Sequence, residues 1–193
     1  MKKTLLMLGL GLVLGATMLS ATPMKFYTVF APEGGGGRTG SGSGYFEFDP
    51  DADTLLIDVN FAGLSGITNI AHIHCCVSVA GSGNAGIAVT PTTLPGFPIQ
   101  VSSGTYNITL DLSSAATYTT GFLSGSNPAD PSGAEARLLQ GILDGKAYFN
   151  IHTNAFTGGE IRGFLAPVPE PGVFLLTGLG LLGVVGLRRR QRL

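Results

Sequence analysis

The sequence predicts an all-β domain of antiparallel strands that carries one short helix. The chain of 193 residues has no Trp and 30 Gly, and it is rich in Ser, Thr and Val, which favours strands separated by frequent turns. Several segments alternate apolar and polar residues with the two-residue period of a half-buried strand. One segment, residues 131–146, has apolar spacing typical of a helix instead.

The first part of the domain predicts a strand, a loop and a hairpin. Residues 24–30 form the strand, and residues 34–44 form a loop rich in Gly and Ser. Residues 45–49 and 54–61 form the hairpin, with one face of its second strand apolar. Its turn contains Asp49, Asp51 and Asp53, which resemble the start of a calcium loop without the Gly at position six or the Glu at position twelve. We interpret these aspartates as part of a turn, and weak cation binding by them is the alternative.

Residues 68–79 predict a strand that carries a pair of histidines. Alternation places His72, His74 and Cys76 on one face and Ala71, Ile73 and Cys75 on the core face. Two residues along a strand separate the histidines by about 7 Å, which is a spacing that metal ligands use.

The adjacent cysteines, Cys75 and Cys76, leave three alternatives open. In an oxidising, exported setting they form a vicinal disulfide, pair between molecules or supply a soft metal ligand. In an extended strand Cys75 points to the core and Cys76 stays free.

The middle of the chain predicts a connection, a strand and the helix. Residues 81–98 form a long surface connection, and residues 105–112 form a strand. The helix of residues 131–146 begins with a capping box made by Ser132 and Glu135.

Residues 147–165 predict a second hairpin with polar side chains on one face. A turn centred near Phe156 places His152 opposite Glu160 and Asn150 opposite Arg162. This register predicts an imidazole–carboxylate hydrogen bond between His152 and Glu160.

Two hypotheses explain the histidines. In one, His72, His74 and His152 bind copper or zinc, with Glu160 and Cys76 available as further ligands. In the other, the histidines form a hydrogen-bonded network with Glu160 and Arg162 that holds two strands together.

Both ends of the chain carry export signals. Residues 1–21 have the layout of a signal peptide, with basic residues, an apolar run and small residues at the end. Near the other end, Pro169, Glu170 and Pro171 precede an apolar segment, residues 173–187, and then Arg188, Arg189 and Arg190. That segment makes a helix of about 22 Å, shorter than the roughly 30 Å hydrocarbon core, so it is a marginal transmembrane helix.

Two parts of the sequence resemble known families. Residues 147–165, AYFNIHTNAFTGGEIRGFL, and residues 63–74, GLSGITNIAHIH, resemble the signature blocks of the CHRD domain family. This resemblance implies an immunoglobulin-like antiparallel β-sandwich at residues 22–166 and no established enzyme activity. Residues 167–193 resemble the PEP-CTERM sorting signal of Gram-negative bacteria, which implies processing by an exosortase.

These resemblances imply an exported binding or structural module of the cell envelope or extracellular matrix. The protein is then held transiently by its membrane anchor before it reaches the cell surface or medium, with surface polysaccharide or envelope proteins as partners. Residues 22–166 contain five basic and eleven acidic residues, a net charge near −6, which disfavours nucleic-acid binding. The Ser residues form no nucleophile elbow, which disfavours a hydrolase.

Overall fold

The computed structural model describes residues 22–168, which are mostly β-structure. The strands are β1 (Met24–Pro32), β2 (Ser41–Asp49), β3 (Thr54–Ala62), β4 (Thr68–His74), β5 (Ile87–Val89), β6 (Gly104–Asp111), β7 (Tyr148–Thr153), β8 (Ile161–Phe164) and β9 (Ala166–Pro167). The helices are α1 (Thr120–Ser124) and α2 (Pro131–Leu143), with a 3₁₀ turn at Ala115–Thr117. The predicted all-β, sandwich-like fold is confirmed. The predicted signal peptide and transmembrane segment lie outside the described residues.

The strands form one antiparallel sheet that bends at β1. The strand order is β5-β4-β7-β8-β1-β2-β3-β6, with β9 paired to β1. Most of β1 pairs with β2, whereas Ala31 and Pro32 at its end pair with β8. The ring of Phe149 in β7 lies 5.4 Å from that of Phe30 and 5.9 Å from that of Phe46. The two halves of the sheet therefore face each other across one aromatic core.

The predicted hairpin of β2 and β3 is present, but β2 begins earlier than the sequence indicates. Ser41–Gly44 were predicted as loop and instead pair with both β1 and β3. The sequence did not predict this part of β2 because Gly42 and Gly44 have no side chains that could show the alternation of apolar and polar residues typical of a strand. A Cβ at Gly44 would lie 2.7 Å from the Phe46 ring and 2.9 Å from Val59, so core packing requires glycine there.

The predicted helix corresponds to α2, but its N-terminal cap differs. Oδ1 of Asp130 accepts a hydrogen bond of 3.0 Å from the backbone N–H of Gly133, so Asp130 is the N-cap and the predicted Ser132/Glu135 capping box is wrong. Leu138 and Ile142 of α2 are fully buried in the core. Burial of this apolar stripe anchors the helix.

Strand β7 positions the site because it pairs with β4 on one side and β8 on the other. Its register places Asn150 opposite His72 of β4 on one side and opposite Arg162 of β8 on the other. The pairing of Asn150 with Arg162 is the one that the sequence predicted. Phe149 and Ile151 face the core, and the opposite face is also buried. This second burial arises because residues 81–98, predicted as a surface connection, form β5 and fold over the histidines.

Within residues 22–168 we find no helix with the length and hydropathy needed to span a membrane.

Candidate metal centre

Three histidines come together on the covered face of β4 and β7. His72 and His74 lie two residues apart in β4, and His152 lies diagonally across from His72 in β7. The ring centroids of the three are 5.4–6.1 Å apart. Three ring nitrogens, one from each histidine, lie within 4.8 Å of one another. All three side chains are buried, with 4–9% of their surface exposed.

Each imidazole uses one nitrogen to bind a backbone carbonyl. Nε2 of His72 binds the carbonyl of Thr92, Nδ1 of His74 that of Ala85 at 3.0 Å, and Nδ1 of His152 that of Thr157 at 2.8 Å. Because a carbonyl only accepts hydrogen bonds, each bound nitrogen carries the proton. In a neutral imidazole the second nitrogen has a lone pair; here the second nitrogens, Nδ1 of His72 and Nε2 of His74 and His152, have no hydrogen-bond partner.

The environment keeps two of these rings neutral. Burial is the main cause that lowers the pKa of His72, to about 4, and the neighbouring His152 and His74 lower it further, although the Thr92 carbonyl opposes this. Burial also lowers the pKa of His74 against the opposing effect of the Ala85 carbonyl. Neutral imidazole is the form that coordinates a metal, so no proton has to leave these rings before binding.

The comparisons with known families agree with both resemblances found in the sequence. The model of the CHRD domain matches residues 28–165. The chain belongs to the CHRD domain family. The model of the PEP-CTERM protein-sorting motif matches residues 167–190, so the protein carries a signal for export, transient membrane anchoring and processing by an exosortase. Searches of curated proteins and of solved structures found no match.

In the CHRD domain Glu160 lies apart from the histidine rings, contrary to the predicted hydrogen bond with His152. Its carboxylate accepts hydrogen bonds from the N–H and hydroxyl of Ser65, the N–H of Gly66 and the hydroxyl of Thr153. The predicted pair fails because the Glu160 side chain is drawn to these four donors. It joins β8 to the loop before β4.

Arg162 and Asn150 form a separate polar group with Glu33. A guanidinium nitrogen of Arg162 lies 3.0 Å from a carboxylate oxygen of Glu33, and Nδ2 of Asn150 donates to the other oxygen at 3.1 Å. Arg162 also donates to the carbonyl of Gly83 and to Oδ1 of Asn84. The predicted network of histidines with Glu160 and Arg162 is therefore wrong.

Cys75 and Cys76 form a vicinal disulfide, which was one of the three predicted alternatives. Their sulfurs face Gly141 of α2, where a Cβ would collide with both. The expectation that Cys76 stays free beside the histidines is wrong, because the chain leaves the extended conformation after His74 and turns both cysteines toward the helix. The disulfide removes Cys76 from the set of available ligands.

Some residues of the site carry no sequence signal. The carbonyls of Ala85, Thr92 and Thr157 orient the rings, but any residue supplies a carbonyl.

Tyr148 stacks on His74 with ring centroids 4.8 Å apart and planes at 2°, and alternation does place it on the histidine face. The predicted sorting residues, Pro169, Glu170, Pro171, Arg188, Arg189 and Arg190, lie outside the described residues.

Proposed function

We propose that this CHRD domain is an exported module of the cell envelope or extracellular matrix that holds a copper or zinc ion at His72, His74 and His152. The observation that carries the proposal is the set of three buried ring nitrogens that lack hydrogen-bond partners. A buried polar atom without a partner costs free energy, so three of them on neighbouring rings call for a common ligand.

The hydrogen bonds around the rings support a metal as that ligand. Metal-bound histidines generally donate their other N–H to a carbonyl or carboxylate, which fixes the tautomer and the ring orientation. All three rings have this second partner in place. Without a metal, the same arrangement would leave three buried ring nitrogens without a partner.

The donor set narrows the choice of metal. Three imidazoles suit zinc or copper, and a fourth position would be left for water or an external ligand. Neither Glu160 nor Cys76 is placed to fill it, since each is engaged elsewhere. Copper would add one-electron redox chemistry, whereas zinc would not.

The module's setting comes from its sorting signal. Processing by an exosortase delivers the domain outside the cytoplasmic membrane, and surface polysaccharide or envelope proteins are the partners we propose there. The excess of acidic residues in residues 22–166 favours partners that are neutral, basic or bridged by cations.

The test is elemental analysis of the full chain, produced without an affinity tag and exported to the periplasm. We expect close to one copper or zinc ion per chain, and loss of the ion in the double variant His72→Gln/His74→Gln. Asp58→Asn, which removes an exposed carboxylate, is the matched control, and the ion should remain in it. The chain has three histidines in all, so imidazole signals in the Cu²⁺ electron paramagnetic resonance spectrum must arise from this cluster.

The absence of metal in the folded wild-type protein, both after export and after incubation with Cu²⁺ or Zn²⁺, would overturn the metal proposal. The binding or structural module without a metal would then be the function to pursue. In that case replacement of His74 should leave partner binding unchanged.

A further inference from the structure

A second group of oxygen donors lies where the turn between β2 and β3 meets the start of α2. It lines a pocket of about 280 Å³. The lining residues are Asp53, Ser113, Asp130, Pro131, Ser132 and Glu135, which supply three carboxylates, two hydroxyls and no basic side chain. This pocket is separate from the three histidines.

Glu135 is the residue that requires an explanation. Only 8% of its surface is exposed, and its Oε1 has no hydrogen-bond partner. Its side chain lines the same pocket as that of Asp53. Burial raises the pKa of Glu135, and the negative charge of Asp53 raises it further. Two carboxylates that line one small pocket repel each other unless a proton or a cation lies between them.

The backbone holds these carboxylates in place. Oδ1 of Asp49 accepts hydrogen bonds from the N–H groups of Asp51 and Ala52, which shapes the turn before Asp53. The carbonyl of Asp53 accepts a bond of 2.7 Å from the N–H of Leu112 after β6. Glu135 is fixed by α2, whose neighbouring residues are buried in the core. The pair is therefore set by three elements of the fold and not by a single mobile loop.

We propose that this pocket binds calcium, with Asp53 and Glu135 as the charged ligands. Calcium prefers oxygen ligands, takes six to eight of them and tolerates irregular geometry. Two carboxylates, the hydroxyls at the rim and water would supply that set. Zinc and copper prefer the histidines, so the two sites differ in ligand chemistry. The proposal does not depend on the metal centre.

The same pocket accounts for a motif that the sequence left open. The run of Asp49, Asp51 and Asp53 resembles the start of a calcium loop without its end. The structure places Glu135 beside Asp53, where it supplies a carboxylate that the turn itself lacks. The site is thus assembled from residues 82 positions apart in the sequence.

The experiment uses the full exported chain with two readouts, terbium luminescence and thermal unfolding in CaCl₂ up to about 10 mM, since extracellular calcium sites have Kd values of about 0.1–1 mM. Burial raises the pKa of Tyr118, and the charges of Glu135 and Asp53 in the pocket raise it further. The chain has no Trp, so terbium emission would be excited through tyrosine. The variants are Glu135→Gln and Asp53→Asn. Asp58→Asn, which removes an exposed carboxylate outside the pocket, is the control.

At a calcium concentration ten times Kd, we expect Tm to rise by about 3–6 °C in the wild type and in Asp58→Asn. We expect at least tenfold weaker terbium binding in each pocket variant, and competition of calcium with terbium in the wild type. A wild-type protein whose Tm is unchanged by calcium would overturn the proposal and leave a carboxyl pair that shares a proton. Equal binding by the wild type and both pocket variants would also overturn it, because the ion would then lie elsewhere.

Discussion

Glu160 and the three histidines are buried polar groups of one hairpin and its neighbouring strand, yet their surroundings differ. Both oxygens of Glu160 accept hydrogen bonds, four in total, from Ser65, Gly66 and Thr153. Each histidine has a partner on one nitrogen and none on the other. Complete hydrogen bonding is typical of a structural group, whereas a buried lone pair without a partner calls for a water, an ion or another ligand.

The difference also appears in the effect of burial on charge. Burial disfavours ionisation of Glu160, but the bonds from Ser65, Thr153 and Gly66 outweigh it and hold its pKa below the ordinary value. For His72 and His74 burial dominates, and the rings stay neutral. The surroundings of Glu160 thus stabilise its charged form, whereas the surroundings of these two histidines stabilise the neutral imidazole, which has a lone pair to offer. The following predictions test this contrast, beginning with the largest expected effect.

Removal of the Glu160 carboxylate should have the largest effect on stability. Glu160→Ala leaves the N–H of Gly66 and the hydroxyl of Thr153 buried without an acceptor and removes both hydrogen bonds from Ser65, which we expect to cost about 3–5 kcal/mol. Urea unfolding of the full chain measures this free energy. Asp58→Ala, at an exposed position, should change it by less than about 0.5 kcal/mol. A loss below about 1 kcal/mol in Glu160→Ala would show that the carboxylate is not a structural anchor.

Metal should stabilise the wild type by a comparable amount. At a free zinc concentration a thousand times Kd, binding adds about 4 kcal/mol to the free energy of unfolding. Differential scanning calorimetry with zinc and with a chelator measures the shift in Tm. In His72→Gln/His74→Gln the two scans should coincide. If the variant gains as much stability as the wild type, the ion binds away from the histidines.

The charge of Glu160 should make its contribution depend on pH. Because its pKa is lower in the folded state than in the unfolded state, where it is about 4.3, the stabilisation is present in full above that pH. It is lost as the pH falls through the folded-state pKa. The stability difference between the wild type and Glu160→Gln should therefore be constant from pH 5 to 7 and shrink below about pH 4. Unfolding curves at each pH give this difference, and a gap that widens in acid would contradict the assignment.

The sequence predicted the pairing of this hairpin better than its side-chain contacts. Alternation placed Asn150 opposite Arg162 and put all three histidines on one face, because backbone pleating alone decides which side a residue takes. It could not show where the Glu160 carboxylate goes, since three of its four donors lie about 95 residues earlier in the chain. Contacts between distant segments depend on how loops close over the sheet, which local patterns do not encode.

In two further regions a prediction from local sequence patterns was also wrong. The segment over the histidines was predicted as a surface connection because it is rich in Gly, Thr and Pro, and β5 has only three residues to give a strand signal. Glu135 was assigned to a capping box from its spacing to Ser132. The actual cap is Asp130, which leaves Glu135 buried beside Asp53. In both places a local rule was overridden by a tertiary contact.

The smallest expected effect is the cost of losing one histidine when no metal is present. His74→Gln gives up the hydrogen bond to the Ala85 carbonyl and part of the stacking on Tyr148, but its Nε2 had no protein partner to lose. We expect a change of about 1 kcal/mol or less in the free energy of unfolding of the chelator-treated protein. Urea unfolding with chelator present, beside Glu160→Ala under the same conditions, measures the contrast directly. A loss as large as that of Glu160→Ala would mean that the histidines are structural groups after all, and it would remove the distinction on which the metal centre rests.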